Sequence, residues 1–184
     1  IDTVSKSNIK VHIYDDTVPN PTSDNVYAAV DMYKSNQCTA IIAFGGGSAI
    51  DCAKAVGARI AKPNQKIQDM VGILRIFKKI PLLFAIPTTA GTGSETTLAA
   101  VITDSKTRHK YAINDFPLIP HYALLDATLT VGLPKHITST TGMDALTHAI
   151  EAYIGRSTTK QTRKCAKLAV KAIAKVEPDC TVLL

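Results

Sequence analysis

The segment TAIIAFGGGSAIDCAKA, residues 39–55, decides the fold of this chain. Its first part is a continuous apolar run that ends at three glycines, which is typical of a parallel strand covered on both faces. Beyond the glycines, apolar residues recur at the spacing of one helix face, namely at Ala49, Cys52, Ala53, Val56 and Ile60. The segment therefore predicts a strand, a glycine turn and a helix that packs against the sheet.

The sequence on either side predicts further strands and helices. Ile9, Val11 and Ile13 alternate with polar residues and predict a first strand, and Thr22 or Ser23 can cap the helix that follows. Downstream, PLLFAI predicts another buried strand, and LAAVITD and KYAIND predict a hairpin. Strands and helices in this order are typical of an α/β fold with a parallel sheet and crossover helices.

Helical patterns replace strand patterns near residue 130. GMDALTHAIEAYIG, residues 142–155, and an amphipathic segment that ends near Val176 both predict helices. We therefore expect residues 1–130 to form an α/β domain and residues 131–184 to begin a helical domain.

Composition limits the classes of protein to which the chain can belong. Of the 184 residues, 46% are hydrophobic, which is enough for one substantial core. The apolar runs are far shorter than the roughly 20 residues of a membrane span, so we expect a cytoplasmic protein without a membrane partner. The cysteines form no CxxC pair, which favours reduced structural thiols at Cys38, Cys52, Cys165 and Cys180.

The net charge of +6 raises the question of a nucleic-acid partner. Lysines recur at helical spacing from Lys160 to Lys175, opposite an apolar stripe that includes Ala166 and Val170. A solvated helix face explains this pattern better than a binding patch, and 5% aromatic residues offer few platforms for stacking bases. We expect no nucleic-acid partner, and we expect a homo-oligomer because the apolar stripe needs a partner.

The glycine turn is a candidate phosphate site. Gly45, Gly46, Gly47 and Ser48 lie directly after a buried strand and directly before a helix. Glycine lets backbone N–H groups approach an anion closely, and a helix N-terminus favours negative charge. Because the pattern is not GxGxxG, a turn that serves only a tight connection is the alternative. Asp51, one turn into the helix, can simply favour the positive end of the helix dipole.

A second loop, PTTAGTGSE at residues 87–95, follows another predicted strand and offers the hydroxyls of Thr88, Thr89 and Thr92. Ligands of open α/β sheets bind at the carboxyl ends of the strands, so two loops at two strand ends predict one shared crevice. Lys110, in the hairpin, can neutralise a phosphate or hold a ribose, although a lone surface lysine is usually only solvated.

Asp144 and His148 form a candidate metal pair. They are four residues apart on the predicted helix, so their side chains share one face and can bind one ion. A carboxylate and an imidazole suit Zn²⁺ and Fe²⁺ equally well, but two ligands are too few for a tight site. The alternative is a local hydrogen bond between the two side chains.

Three long motifs carry a family resemblance. GGGSAIDCAKA, PTTAGTGSE and GMDALTHAIEAY, in this order and at these separations, resemble the iron-containing (group III) alcohol dehydrogenases. The resemblance extends from Asn8 to Ile173. It implies a nucleotide-binding α/β domain, a helical domain and a divalent metal in the cleft between them, which is a dehydroquinate-synthase-like architecture.

The resemblance also implies roles for single residues. Asp144 and His148 match two of the family's metal ligands, with Fe²⁺ as the typical ion and Zn²⁺ as the alternative. Asn20 matches a position near the adenosine half of the cofactor. The family's other cofactor-contacting positions match Gly45, Gly46, Gly47, Ser48, Thr88, Thr89, Thr92 and Lys110.

The resemblance is to only part of the family's length. It implies that the first strand and helix of the nucleotide domain are missing, together with the later motifs that hold the other two metal ligands. The residue that separates NAD from NADP in the family lies in the missing strand. We therefore expect NAD or NADP as the cofactor, without a preference between them.

The reaction that the resemblance implies is hydride transfer between NAD(P) and a small primary alcohol or diol, with the metal polarising the substrate oxygen. One alternative is a glycerol dehydrogenase-like enzyme, although that group usually has Lys where this chain has Ser48. Another is a non-catalytic nucleotide-binding fragment or pseudoenzyme. Because it has only two metal ligands, the chain alone is expected to show little or no activity.

Overall fold

The computed structural model describes residues 6–7 and 9–176. They divide into two compact units: one holds the described residues up to Ile86 together with Ser94–Leu124, and the other holds Pro87–Gly93 and the described residues from Leu125 onward. The helices and strands are α1 (Ser23–Ser35), β1 (Ala40–Gly45), α2 (Gly47–Ala61), β2 (Gly72–Ile73), β3 (Leu82–Pro87), β4 (Ala99–Thr103), β5 (Lys110–Asn114), β6 (Tyr122–Ala123), α3 (Lys135–Ile154) and α4 (Lys160–Val176).

The first unit contains two three-stranded sheets. One has the order β1-β3-β6, with β3 and β6 parallel so that Phe84 lies beside Tyr122. The other has the order β2-β5-β4, in which β4 and β5 form an antiparallel ladder and β2 pairs in parallel with β5. The predicted hairpin and the predicted strand PLLFAI are therefore confirmed.

Helix α2 lies at the centre of the core of this unit. Every residue from Cys52 to Ala58 is buried, and Ile50 is fully buried as well. Seven consecutive residues cover every side of a helix, so this part of α2 is packed on all sides, and α2 contacts α1, β1 and β4. The neighbours that complete this core include Val26, Val30, Ala43, Leu83, Ala85, Ile102 and Ile113.

Two predictions for the start of the chain are wrong. Residues 9–15 form no strand, and Ile9 and Ile13 are 56% and 54% exposed. Alternating apolar residues favour a strand only where a neighbouring strand accepts the backbone hydrogen bonds, and none of the described strands pairs with this segment. Strand β1 is not covered on both faces either, because Ile42 and Phe44 are 50% and 60% exposed.

The second unit contains α3 and α4, which pack against each other and bury Ala149 and Ala166. Helix α3 therefore covers part of the apolar stripe predicted for α4. The loop before α3 in this unit also needs a glycine, because a Cβ at Gly91 would lie 2.6 Å from the carbonyl oxygen of Thr141. No helix among the described residues is both long enough and apolar enough to cross a membrane.

Asp115 anchors the segment between β2 and β3. Its side chain is only 2% exposed, and one carboxylate oxygen accepts the N–H groups of Ile76 at 2.7 Å and Phe77 at 3.0 Å. Both N–H groups belong to residues outside any helix or strand, so the carboxylate replaces a ladder partner.

Replacing Asp115 with Ala should therefore lower the free energy of unfolding by about 3 kcal/mol, because two N–H groups lose a charged acceptor. Asp115→Asn keeps one acceptor oxygen and should cost less. Urea denaturation of both variants measures this change, with Asp31→Ala, at an exposed position of α1, as the control. Equal stability of Asp115→Ala and the control would show that the carboxylate does not anchor this segment.

Candidate functional site

The glycine turn joins β1 to α2 with little space for side chains. Gly45 has a φ of 152°, and a Cβ there would lie 2.8 Å from the Cβ of Ala49. Gly46 is the N-cap of α2 in an extended conformation, and it supplies no side chain to bond the first-turn N–H groups. The N–H of Ala49 already donates to the carbonyl oxygen of Gly46 at 3.1 Å, whereas the N–H groups of Gly47 and Ser48 precede the first helical hydrogen bonds and, together with the helix dipole, suit an anion.

Three of the predicted cofactor residues meet at this turn. The backbone N–H of Asn20 donates to the hydroxyl of Ser48 at 3.1 Å, and Nζ of Lys110 donates to Oδ1 of Asn20 at 2.7 Å. Asn20 adopts the left-handed region with a φ of 56°, which Asn tolerates better than most residues. The structure thus brings together residues that are up to 90 positions apart in the sequence.

A cavity of about 280 Å³ adjoins this group of residues. Its basic members are Lys110 and Arg108, so the field within it favours an anion over a cation. Its lining consists of Val18, Pro19, Asn20, Thr22, Thr103, Arg108 and Lys110.

Sequence reasoning missed Lys54, which is fully buried in α2. Its Nζ donates to the carbonyl oxygens of Thr97 and Ala99, each at 2.8 Å, and to the hydroxyl of Thr97 at 3.0 Å. A weaker contact of 3.4 Å reaches the hydroxyl of Ser94. The signal for this role is a single lysine within the run CAKAVGA, where every neighbour is small or apolar.

Asp51 has a more specific role than the helix-dipole interpretation gave it. Its carboxylate accepts the Ser94 hydroxyl at 2.6 Å and the N–H of Val101 at 3.0 Å. Burial is the main reason why the pKa of Asp51 is raised and the pKa of Lys54 is lowered to about 8. The attraction of Asp51 and Glu95 for Lys54 opposes that lowering without cancelling it.

The loop with the predicted threonine hydroxyls belongs to the second compact unit, which contains α3 and α4. Thr88, Thr89 and Thr92 all lie in Pro87–Gly93, which groups with α3 and α4, and all three are partly buried. The shared crevice with the glycine turn stays a prediction.

Asp144 and His148 lie one turn apart on α3 as predicted. Oδ1 of Asp144 is 3.8 Å from Nε2 of His148, and their side chains are 42% and 54% exposed. This separation is longer than a hydrogen bond but within the range of an ion pair, so a local interaction between the two side chains stays the alternative to a shared metal ion. Because bonds from Zn²⁺ to nitrogen and oxygen are about 2.0–2.2 Å, one ion can bind both atoms. Among the described residues, no third His, Cys, Asp or Glu joins them.

Two family models match separate parts of the chain. Residues 1–127 match the family described as iron-containing alcohol dehydrogenase, and residues 138–181 match the C-terminal part of the Fe-containing alcohol dehydrogenase family. The chain belongs to the iron-containing alcohol dehydrogenase family. The family resemblance drawn from the three motifs is thereby confirmed.

Relatives within this family share the fold but are longer. The probable alcohol dehydrogenase EutG of Escherichia coli (strain K12) is 44% identical over 88% of this chain and 40% of its own length. The NAD-dependent methanol dehydrogenase of Bacillus methanolicus is 40% identical over 95% of this chain and 46% of its own length. The crystal structure of a 1,3-propanediol oxidoreductase superposes with a TM-score of 0.91 at 36% identity, over 95% of this chain and 45% of its own. The chain spans a little under half the length of these relatives, and the predicted α/β fold class is confirmed.

Burial of the Lys54 ammonium group should change how the free energy of unfolding depends on pH. Since its pKa falls from 10.5 in the unfolded chain to about 8 in the folded one, the unfolded chain binds more protons between these values. The stability of the parent relative to Lys54→Met should therefore rise by on the order of 1–3 kcal/mol from pH 8 to pH 10.5. Urea denaturation across this range measures the difference. A constant difference would mean that Lys54 does not titrate there.

Proposed function

We propose that this chain forms the dinucleotide-binding part and half of the metal site of a nicotinamide-dependent alcohol dehydrogenase. The complete enzyme would transfer a hydride between NAD(P) and a small primary alcohol or diol. The observation that carries the proposal is the contact of Asn20, Ser48 and Lys110 at the N-terminus of α2.

The dinucleotide assignment is supported by the chemistry of this group. A pyrophosphate needs N–H donors, positive charge and close approach, and the turn offers helix N–H groups, Lys110 and glycines. Ser48 and Asn20 add a hydroxyl and an amide, which suit ribose or phosphate oxygens. We assign Gly45, Gly46, Gly47 and Ser48 to the phosphates, and we assign Thr88, Thr89, Thr92, Lys110 and Asn20 to the remainder of the cofactor.

The choice of NAD and of small alcohols is supported by the relatives. The relative from Bacillus methanolicus is described as an NAD-dependent methanol dehydrogenase, and the solved structure as a 1,3-propanediol oxidoreductase. We propose the same class of cofactor and of substrate for the protein to which this chain belongs.

Asp144 and His148 are the residues that we propose hold the metal, with Fe²⁺ as the first choice and Zn²⁺ as the second. Their exposure leaves their oxygen and nitrogen atoms accessible, and their 3.8 Å separation suits one shared ion. Bound there, a divalent ion supplies Lewis acidity to the alcohol or carbonyl oxygen. The role of the two side chains is to fix the position of that ion.

Replacing Gly46 with Val should weaken NADH binding by at least about tenfold, because a β-branched side chain blocks the approach of a phosphate to the N-cap. Gly132→Val is the matched control, since a Cβ at Gly132 meets nothing within 4 Å. Calorimetry with NADH and NADPH on the parent and both variants gives the affinities. Equal binding by the parent and Gly46→Val would mean that the turn is only a tight connection.

Metal binding by this chain should be weak and should need both proposed ligands. We expect Co²⁺ and Zn²⁺ to bind with at best micromolar affinity, since two protein ligands leave the ion mostly to water. Asp144→Asn and His148→Gln should each abolish that binding, whereas His136→Gln, an exposed histidine on the same helix, should not. Calorimetric titration with each ion is the measurement. Retained binding in either ligand variant would remove the pair from the site.

A further inference from the structure

Asp51 and Lys54 are one turn apart on α2, and both bind the chain segment 94–101. Asp51 accepts the N–H of Val101 in the middle of β4, and Lys54 donates to the carbonyl of Ala99 at its start. Ser94 contacts both groups, since its hydroxyl donates to Asp51 and lies 3.4 Å from Nζ of Lys54. Bonds of opposite sense at two positions of one strand fix where β4 lies along the helix.

The register of β4 determines where Lys110 lies. Thr103, the last residue of β4, is paired with Lys110, the first residue of β5. The N–H of Thr103 donates to the carbonyl of Pro21 at 2.8 Å, directly beside Asn20. A shift of β4 along α2 would therefore move Lys110 away from Asn20, and Asn20 in turn contacts Ser48.

We propose that Lys54 and Asp51 are positioning residues for the dinucleotide: they dock the β4–β5 hairpin on α2 so that Lys110 stays bonded to Asn20, which in turn bonds Ser48. This inference rests on the proposed function. Neither side chain needs to touch the cofactor. Lys54 is fully buried with its N–H groups directed at protein acceptors, and the carboxylate of Asp51 already accepts from Ser94 and Val101.

An apolar residue would fill the position of Lys54 without the cost of burying an ammonium group. The lysine differs from such a residue in directing hydrogen bonds to two carbonyl oxygens of one segment, those of Thr97 and Ala99. Apolar packing tolerates small slides between elements, whereas these bonds are lost when the strand shifts. A buried charge at this position thus favours one register of the hairpin.

The test is a double-mutant cycle on NADH affinity with Lys54→Met, Lys110→Met and the double variant. If Lys54 acts through Lys110, each single change weakens binding about tenfold and the double change is also about tenfold, rather than about a hundredfold, weaker than the parent. Lys79→Met, at an exposed lysine, is the matched control and should bind as the parent does. Additive losses, or unchanged affinity in Lys54→Met, would overturn the proposal.

Ser94→Ala is a milder probe in case Lys54→Met does not fold. It removes one contact from each charged group and should weaken NADH binding while the fold stays intact by circular dichroism. It should also speed hydrogen exchange of the Val101 amide. A folded Ser94→Ala chain with the NADH affinity and the Val101 exchange rate of the parent contradicts the proposal.

The outcomes also separate this inference from the proposed function. If the parent itself does not bind NADH, the proposed function fails and this inference fails with it. If the parent binds NADH and the losses in the two lysine variants are additive, this inference alone is overturned.

Discussion

Strand β1 passes into helix α2 through a turn in which Gly45 has a φ of 152° and any Cβ would lie 2.8 Å from the Cβ of Ala49. This close approach sets the N-terminus of α2 directly at the carboxyl end of β1, where ligands of α/β sheets bind. The same helix carries the buried contacts to α1, β1 and β4, so the core and the candidate phosphate site depend on one turn. A larger residue at position 45 would disturb both at once.

Much of this arrangement can be predicted from the sequence, because it follows from local patterns. Three glycines between an apolar run and a helical stripe specify a strand, a turn and a helix without reference to distant residues. Features that depend on contacts with residues distant in the sequence cannot be predicted in this way. The alternation at Ile9, Val11 and Ile13 is a true local pattern, but the described chain offers these residues no neighbouring strand, and they remain exposed.

The same distinction between local patterns and long-range contacts applies to the candidate site. Ser48 can be identified from its position after the glycines. Its contact with Asn20 cannot, because the two residues are 28 positions apart in the sequence. The role of Lys54 is harder still to predict from the sequence, because a lysine in a helix normally extends its ammonium group into solvent. Only the packed structure shows that its ammonium group is turned inward onto the carbonyl groups of Thr97 and Ala99.

Two pairs of ionisable side chains, Asp51 with Lys54 on α2 and Asp144 with His148 on α3, differ in whether their polar atoms are already hydrogen-bonded within the protein. Asp51 and Lys54 are satisfied by protein donors and acceptors, so a ligand would have to displace existing bonds to reach them. Asp144 and His148 are exposed, and their 3.8 Å separation is longer than a hydrogen bond although within ion-pair range. An ion that enters between them would gain two ligands and would displace no hydrogen bond between them. Helical spacing is similar in the two pairs, three residues and four, and burial with hydrogen bonding decides which pair remains available for chemistry.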